Sequence, residues 1–312
     1  MRSHPEDITD EEIATAVAEH WSIDVDRIEP ALIGFGSHHW VATDPSQKTW
    51  FVTADRVADD QVRGRRLAAA LRTAYRLRHD CALDFVVAPL VGRDDQLQVV
   101  TGGYAVALYP YLERSCDDGA DTGQLITMVA GIHAATSRLV DVAPIDDFAV
   151  DGRDILQAAI ADPGSIGDTG PYAGDFAALV DRYRQPITAA FDRYDAMVSE
   201  TAGDRSDWVV THGEPKPNNT MITAAGPMLI DWDTVRLAPA ARDLWMTGGV
   251  QDYTRSTGRT IVSEELDLYR LRWDLEDLGS YSSWFAGRHR RTADTELGWQ
   301  GCVAICRRFA GE

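Results

Sequence analysis

Apolar positions along the chain switch between two periods, and the switches mark out the elements. Ile13, Val17 and Trp21 recur at helical spacing behind Thr9-Asp10-Glu11-Glu12. With Thr9 as N-cap and Glu12 three residues on, that tetrapeptide reads as a capping box, and a helix is predicted to run to about Trp21. Strand-like text follows at Ala31–Gly34, His39–Thr43 and Trp50–Ala54, the last two joined by the turn Asp44-Pro45-Ser46-Gln47. A helix over about Asp60–His79 comes next, then strands near Phe85–Leu90, Leu97–Thr101 and Tyr104–Tyr109. The pattern predicts a five-stranded, mostly antiparallel sheet with one inserted helix.

After Leu112 the character changes. Glu113–Gly123 is polar and acidic, as a linker would be. Leu125, Val129, Ile132, Thr136 and Leu139 keep helical spacing. A long amphipathic helix is predicted from Phe176 to Val198, bent near Pro186. Asp162–Gly174, with four glycines and two prolines, reads as a loop. A short strand-rich stretch begins at Trp208 and the chain ends in helices, one of which buries Leu268, Leu271, Leu275 and Leu278. The fold class is therefore α+β, with a sheet-rich domain over 1–112 and a mostly helical one over 113–312.

Composition narrows the function. Hydrophobic residues make up 45% of 312, enough to bury a core. Thirty basic against 49 acidic side chains leave a formal charge of −19, which argues against nucleic acid and anionic membrane surfaces and suits a cationic ligand. No apolar run approaches the ~18 residues of a membrane span, and the polar, acidic start MRSHPEDITDEE is unlike a signal peptide, so a cytoplasmic protein is expected. Cys81, Cys116, Cys302 and Cys306 are too few for a disulfide scaffold and read as buried thiols. Only Lys48 and Lys216 are lysines, which makes the position of each informative.

The densest chemistry lies between Trp208 and Asp233. Val209–Thr211 leads into a loop stiffened by Pro215 and Pro217, and two strand-like segments, Thr220–Thr223 and Met228–Asp231, flank the turn Ala224–Pro227. Folding that hairpin returns Asp231 to the side of Asn219, with Glu214 at the same end. One carboxamide and two carboxylates then converge, a hard-oxygen set suited to Mg²⁺ carrying a nucleotide phosphate.

Here the chain resembles a known family. His212-Gly213-Glu214, Asn219 five residues after the acid, and Ile230-Asp231 twelve further on are similar to the aminoglycoside phosphotransferase signature. The text around Gly34–Trp40 and from Asp231 to Trp245 most resembles its spectinomycin-type branch. The resemblance implies a bilobal protein-kinase-like fold, with a five-stranded antiparallel nucleotide-binding N-lobe and a mostly helical C-lobe for catalysis and substrate. It implies that Glu214 orients the substrate hydroxyl and accepts its proton, and that Asn219 and Asp231 hold the metal. It further implies that Gly34, Gly36 and Ser37 cover the phosphates of ATP or GTP, that Tyr109, Tyr111 and Leu112 form the hinge for the base, and that Asp243 braces the catalytic loop. His212 is expected to be structural. On the helix around Asp267–Phe285, Asp274 and Asp277 are expected to receive the amines of a small cationic hydroxylated substrate, with Tyr281 or Trp284 stacking on an ammonium. A monomer or weak homodimer is expected.

Three departures matter. Glu stands at 214 where the family has Asp, moving the carboxylate out by roughly 1.5 Å. Thr53 occupies the strand position of the usual phosphate-binding lysine, and the helix Asp60–His79 has no glutamate to pair with one. Lys216, two residues after Glu214, is a cation that could serve the γ-phosphate instead; Arg56, Arg63 and Arg66 are further candidates. These losses also leave open a catalytically weak nucleotide-binding protein. His38 and His39 read as exposed polar residues and His133 as a satisfied core histidine. His212-x-Glu214 lacks the P-C-x-x-C of a zinc deaminase, and no H-E-x-x-H or G-x-S-x-G occurs.

Overall fold

A computed structural model describes every residue except Arg2, Ser3, Glu6, Phe35, Asp59 and Asp117. Phe35, inside the glycine stretch, and Asp117, inside the expected linker, therefore lie outside the described residues. In chain order the elements are α1 (Asp10–Trp21), β1 (Arg27–Pro30), β2 (His38–Thr43), β3 (Thr49–Arg56), α2 (Gln61–His79), β4 (Gln98–Thr101), β5 (Tyr104–Pro110) and α3 (Thr122–Ala134). There follow α4 (Arg153–Ala161), α5 (Ala173–Arg182), α6 (Arg184–Thr201), β6 (Val209–Thr211), β7 (Thr220–Thr223), β8 (Gly226–Leu229) and β9 (Arg236–Ala238). The chain ends in α7 (Ala241–Leu244), α8 (Val250–Thr257), α9 (Ser263–Ala286) and α10 (Ala293–Ala310). Two compact units result: Met1–Asp146 with Asp207–Ile261, and Asp147–Ser206 with Val262–Glu312. The boundary read at 112 falls inside the first unit, which carries both the sheet and the catalytic-loop segment.

The five strands of the first unit run antiparallel in the order β1-β2-β3-β5-β4. Local chemistry starts each element. Thr9 Oγ1 accepts from Glu12 N at 3.2 Å while Glu12 Oε2 accepts from Thr9 N at 2.8 Å, closing the capping box of α1. Asp44 Oδ1 accepts from Ser46 N at 2.8 Å and Lys48 N at 3.0 Å, turning β2 into β3. Asp60 Oδ1 accepts from Arg63 N at 2.8 Å and caps α2.

Strand alternation gives the sheet two faces. Trp40, Ala42, Trp50, Val52, Ala54, Val106 and Leu108 pack against Ile13 and Val17 of α1. On the other face Ala105 and Ala107 meet Leu67 and Leu71 of α2, with Val57 and Leu97. The opposite side of α2 presents Ala70, Ala74 and Leu77 to a third core containing Met128 and Ile132 of α3 and Val210, Leu229, Trp232 and Val235. Thus α2 is packed both on the sheet and on the segment that carries the expected catalytic residues.

Three sequence expectations are corrected. The first strand lies at Arg27–Pro30 and not Ala31–Gly34, because the chain turns where Ile33 N donates to Ala31 O at 2.8 Å. Phe85–Leu90 makes no ladder. Its hydrogen bonds are divided between Leu229 and Leu108, leaving a single parallel bridge, Val86 to Leu229. The helix expected over Phe176–Val198 is two helices broken at Tyr183, with Pro186 in the first turn of α6, where proline costs no hydrogen bond. Cys302 and Cys306 are buried as expected, whereas Cys116 is exposed. Among the described residues no helix is long and apolar enough to cross a membrane.

Candidate active site

β6 pairs with β9 and delivers Thr211 to a loop that the chain holds by its backbone. Asp243, fully buried on α7, accepts from His212 N at 3.0 Å, from Gly213 N at 2.6 Å and from His133 Nε2 at 3.1 Å. The far nitrogen of His133 is 2.7 Å from the Tyr253 hydroxyl, which satisfies both ring atoms of this core histidine. Burial opposes the charge of Asp243, but the His133 hydrogen bond and the nearby His212 and Arg242 hold its carboxyl below the usual range. His212 donates from Nε2 to Ile230 O at 2.9 Å and accepts at Nδ1 from Glu214 N at 3.2 Å. Those two roles require the neutral ring, and burial lowers its pKa accordingly. At Gly213 φ is 103° and a Cβ would lie 2.5 Å from the Arg242 guanidinium, so only glycine fits. His212 and Asp243 thus both hydrogen-bond the backbone of this loop.

The loop then turns back on itself. Lys216 N donates to Glu214 O at 2.8 Å, Asn219 N to Lys216 O at 2.9 Å and Asn219 Nδ2 to Glu214 O at 3.0 Å. The last bond leaves Asn219 Oδ1 as the atom able to meet a cation. The β7–β8 hairpin closes as expected, and Ile230 N donates to Asn219 O at 2.9 Å, bringing Asp231 beside Asn219. Asp231 itself has φ 70°, in the left-handed region that aspartate tolerates better than most side chains. Lys216 Nζ donates to Glu214 Oε2 at 2.7 Å, so the two expected catalytic side chains form an ion pair.

The electrostatics show how crowded the acids are. Asp231 keeps exposed surface, yet protein surrounds its carboxyl closely enough to desolvate it. Desolvation first, then the charge of Glu214, pushes its carboxyl up to about 6, against the pull of Asp233 and Lys216. Asp233 is raised further by burial and by Asp231, Asp55 and Glu214. Asp55, on β3, is buried and raised by that burial, while Ser37 Oγ donates to it at 2.6 Å. Tyr109, on β5, is raised by burial and by the charges of Asp55, Asp233 and Asp231. One recess of the first unit thus holds acids from β3, from the catalytic loop and from the segment after β8. The sequence reading missed Asp55 and Asp233. The Asp-Trp-Asp alternation was the available signal for Asp233. For Asp55 it was an acid on a strand otherwise free of charge from Thr49 to Ala54.

Among the described residues no three His, Cys, Asp or Glu side chains converge as a metal cage. Asn219 and Asp231 offer two hard oxygens, which suits a cation that takes its other ligands from phosphate and water.

The family model for the phosphotransferase enzyme family matches residues 34–284. The chain belongs to that family. The protein StrN of Streptomyces griseus is 31% identical over 230 residues, 69% of this chain and 70% of that protein. Spectinomycin phosphotransferase, solved in complex with ADP and spectinomycin, aligns with a TM-score of 0.72 at 16% identity, over 98% of this chain and 99% of that one. A microcompartment-associated aminopropanol kinase aligns with a TM-score of 0.62 at 13% identity, over 97% and 98% of the two chains. These likenesses show the protein-kinase-like α+β fold expected from the catalytic-loop text.

In this phosphotransferase the remaining expected residues fall as follows. Gly34 and Gly36 are exposed, with φ of 73° and 99°, and Ser37 is tied to Asp55. Thr53 is half-buried and opposite Ala107. Tyr109 follows the buried run of β5 and is half-buried, Tyr111 is exposed and Leu112 half-buried. His39 corrects its expectation. It stacks on Phe51 at 5.1 Å between centroids, and burial lowers its pKa to about 4. In the second unit Asp274 takes a bidentate ion pair from Arg308, both contacts at 2.9 Å. Asp277 is half-buried, and Tyr281 is buried beside Gly298 and Gly301 of α10.

Proposed function

We propose that this phosphotransferase moves the γ-phosphoryl group of ATP or GTP to a hydroxyl of an aminoglycoside, an aminocyclitol or a related amine-bearing metabolite. The observation that carries the reading is the closed loop from Glu214 to Asn219. Its backbone is gripped by Asp243 at one end and bonded to Ile230 at the other, so that Glu214, Asn219 and Asp231 share one recess. Phosphoryl transfer needs little covalent help from the protein; it needs position and compensation of charge.

Glu214 orients the acceptor hydroxyl and takes its proton. Asn219 and Asp231 hold Mg²⁺, which when bound neutralises charge on the phosphate oxygens. Gly34, Gly36 and Ser37 place backbone N–H groups over the phosphates, and Tyr109, Tyr111 and Leu112 receive the base. Lys216, already 2.7 Å from Glu214, approaches the transferred group as the acid engages substrate. Amine recognition is assigned to Asp277 and, on exchange of its Arg308 partner, Asp274, with Tyr281 and Trp284 as the neighbouring rings.

The absence of lysine at Thr53 favours a second reading, a nucleotide-binding protein with little or no transfer activity. One screen separates the two. Labelled ATP and GTP are offered with Mg²⁺ and a panel of amine-bearing hydroxylated compounds, to wild type and to Asp231→Ala. Acceptor-dependent transfer that Asp231→Ala loses supports the proposal; equal background rates in both proteins reject it.

A further inference from the structure

Asp231 and Asp233 lie on a short arch that leaves the β7–β8 hairpin at Ile230 and enters β9 at Arg236. The arch is fastened to the catalytic loop at both feet. At the first foot Ile230 N donates to Asn219 O at 2.9 Å, and Ile230 O accepts from His212 Nε2 at 2.9 Å. At the second foot Thr234 Oγ1 donates to His212 O at 2.8 Å, and Thr234 O accepts from Arg242 Nη2 at 2.8 Å. We infer that Arg242 is a positioning residue for the metal site: it pins the second foot of the arch beside the catalytic loop and so fixes Asp231 relative to Asn219. This rests on the phosphoryl-transfer reading above.

The half-buried guanidinium is built into this place. Arg242 Nη1 donates to Thr211 Oγ1 at 2.9 Å, and that buried hydroxyl in turn donates to Arg236 O at 2.9 Å. One planar fork therefore holds Thr211, the residue that enters the catalytic loop, and Thr234, the residue that leaves the arch. The site is where a ladder ends. Thr211 pairs with Arg236, and beyond that pair the two chains separate, one toward Glu214 and the other back toward Asp231. Side chains of Arg242 and Thr234 bridge the two where the strands no longer do. The fit is close: a Cβ on Gly213 would lie 2.5 Å from Arg242 Nη1 and 2.6 Å from Thr234 Oγ1, so both groups close directly over the residue before Glu214.

Two adjacent residues of α7 thus hold the site in different ways. Asp243 accepts from the loop amides of His212 and Gly213, whereas Arg242 spans the approach to the loop and the foot of the arch. The arch has need of such a hold. Asp231 sits at φ 70°, and a side chain in that region persists where its surroundings over-determine the backbone. Both terminal nitrogens of Arg242 face protein acceptors, so the residue acts through the backbone it holds and not by touching the nucleotide. Outer partners of this kind commonly set metal affinity as strongly as the ligands' own neighbours do, because they fix where the ligand oxygen stands.

The test is fluorescence titration of the full chain with methylanthraniloyl ATP and GTP, once with Mg²⁺ and once with EDTA. Arg255→Ala, an exposed arginine of α8 paired with Asp252, is the control and should match wild type in both. Arg242→Met keeps the stem and removes the fork. It should weaken Mg²⁺-dependent nucleotide binding roughly tenfold or more, the usual loss for an outer partner of a metal ligand. Binding in EDTA should stay within about a factor of two, because Asp231 then has no metal to hold. Arg242→Lys should fall between the two, since one ammonium does not reproduce a two-pronged fork. Arg242→Met binding Mg·nucleotide as wild type does overturns the inference. So does an equal loss in Mg²⁺ and in EDTA, which marks a merely structural role. Should Arg242→Met not fold, Arg242→Lys decides alone: a loss confined to Mg²⁺ supports the inference, and either no loss or an equal one overturns it. Failure of wild type to bind either nucleotide overturns the nucleotide reading itself, a result distinct from these.

Discussion

Replacing Asp243 tests whether the catalytic loop is held by one buried carboxylate. The side chain is 0% exposed and accepts from His212 N, Gly213 N and His133 Nε2 at 3.0, 2.6 and 3.1 Å. Alanine leaves all three donors dry, and an unsatisfied buried donor costs about 1–3 kcal/mol. The three share one network, so their costs do not simply add, and loss of one partner from a buried charged cluster typically totals about 3–5 kcal/mol. At about 2–4 °C per kcal/mol for a unit of this size, Asp243→Ala should melt roughly 6–20 °C below wild type. Asp243→Asn keeps the shape and one acceptor oxygen but turns an amide N–H₂ toward a donor, so a smaller loss of about 2–3 kcal/mol is expected. Both variants should lose at least about 100-fold in kcat, since a displacement near 1 Å is enough for that. The sign with pH is fixed as well. The folded pKa of Asp243 lies below its unfolded value. Its stabilisation is therefore complete above about pH 4 and is lost as pH falls through the folded pKa. Urea midpoints of wild type and Asp243→Asn should differ by a constant amount at neutral pH and converge on acidification. Unfolding free energies within about 1 kcal/mol of each other, together with unchanged kcat, would refute the bracing role, as would a difference that widens as pH falls.

Two substitutions in the loop separate its chemistry from its scaffold. Glu214→Gln should lower kcat by about 10²–10⁴, the usual yield of a positioned base, with nucleotide affinity unchanged by calorimetry; retention of kcat would leave Glu214 without a proton to take. Lys216→Ala should reduce kcat by about 10²–10³ while KM for the nucleotide moves little, because its charge acts where charge develops. Steady-state rates within about a factor of two of wild type would confine Lys216 to its ion pair with Glu214.

What could be read from sequence was what is decided within a few residues. The capping box at Thr9 and Glu12, the turn at Asp44 and the β7–β8 hairpin all satisfy their own hydrogen bonds, so their residues announce them. Glu214, Asn219 and Asp231 were legible for the same reason, since a two-strand hairpin of known length returns one end of the motif to the other. Elements settled by distant partners were not. Phe85–Leu90 has the composition of a strand, but its hydrogen bonds go to two different neighbours, so no ladder forms. Pro186 signalled a bend correctly, yet the chain breaks earlier, at Tyr183, because proline is comfortable in a first helical turn. The burial of Asp55 was not legible, because it depends on which face of β3 the side chain takes and on what packs there.

The charge distribution carries a last consequence. The charges of Asp55 and Glu214 act on Asp231 and Asp233, and Lys216 and Arg63 bring positive side-chain charge near the same group. Four acids against two side-chain cations leave an excess of negative charge where a nucleotide, itself an anion, is to be received. Burial raises the carboxyl of Asp55 and, with its neighbours, that of Asp233, so the bare recess relieves the repulsion by favouring protons. On the proposed reading, a divalent cation held by Asn219 and Asp231 would supply the missing charge, and each proton it displaced would return to solvent. Nucleotide and metal should therefore bind together far better than either alone, and on the proposed reading Lys216, paired with Glu214, would be released toward the transferred group only when a substrate hydroxyl engages the acid.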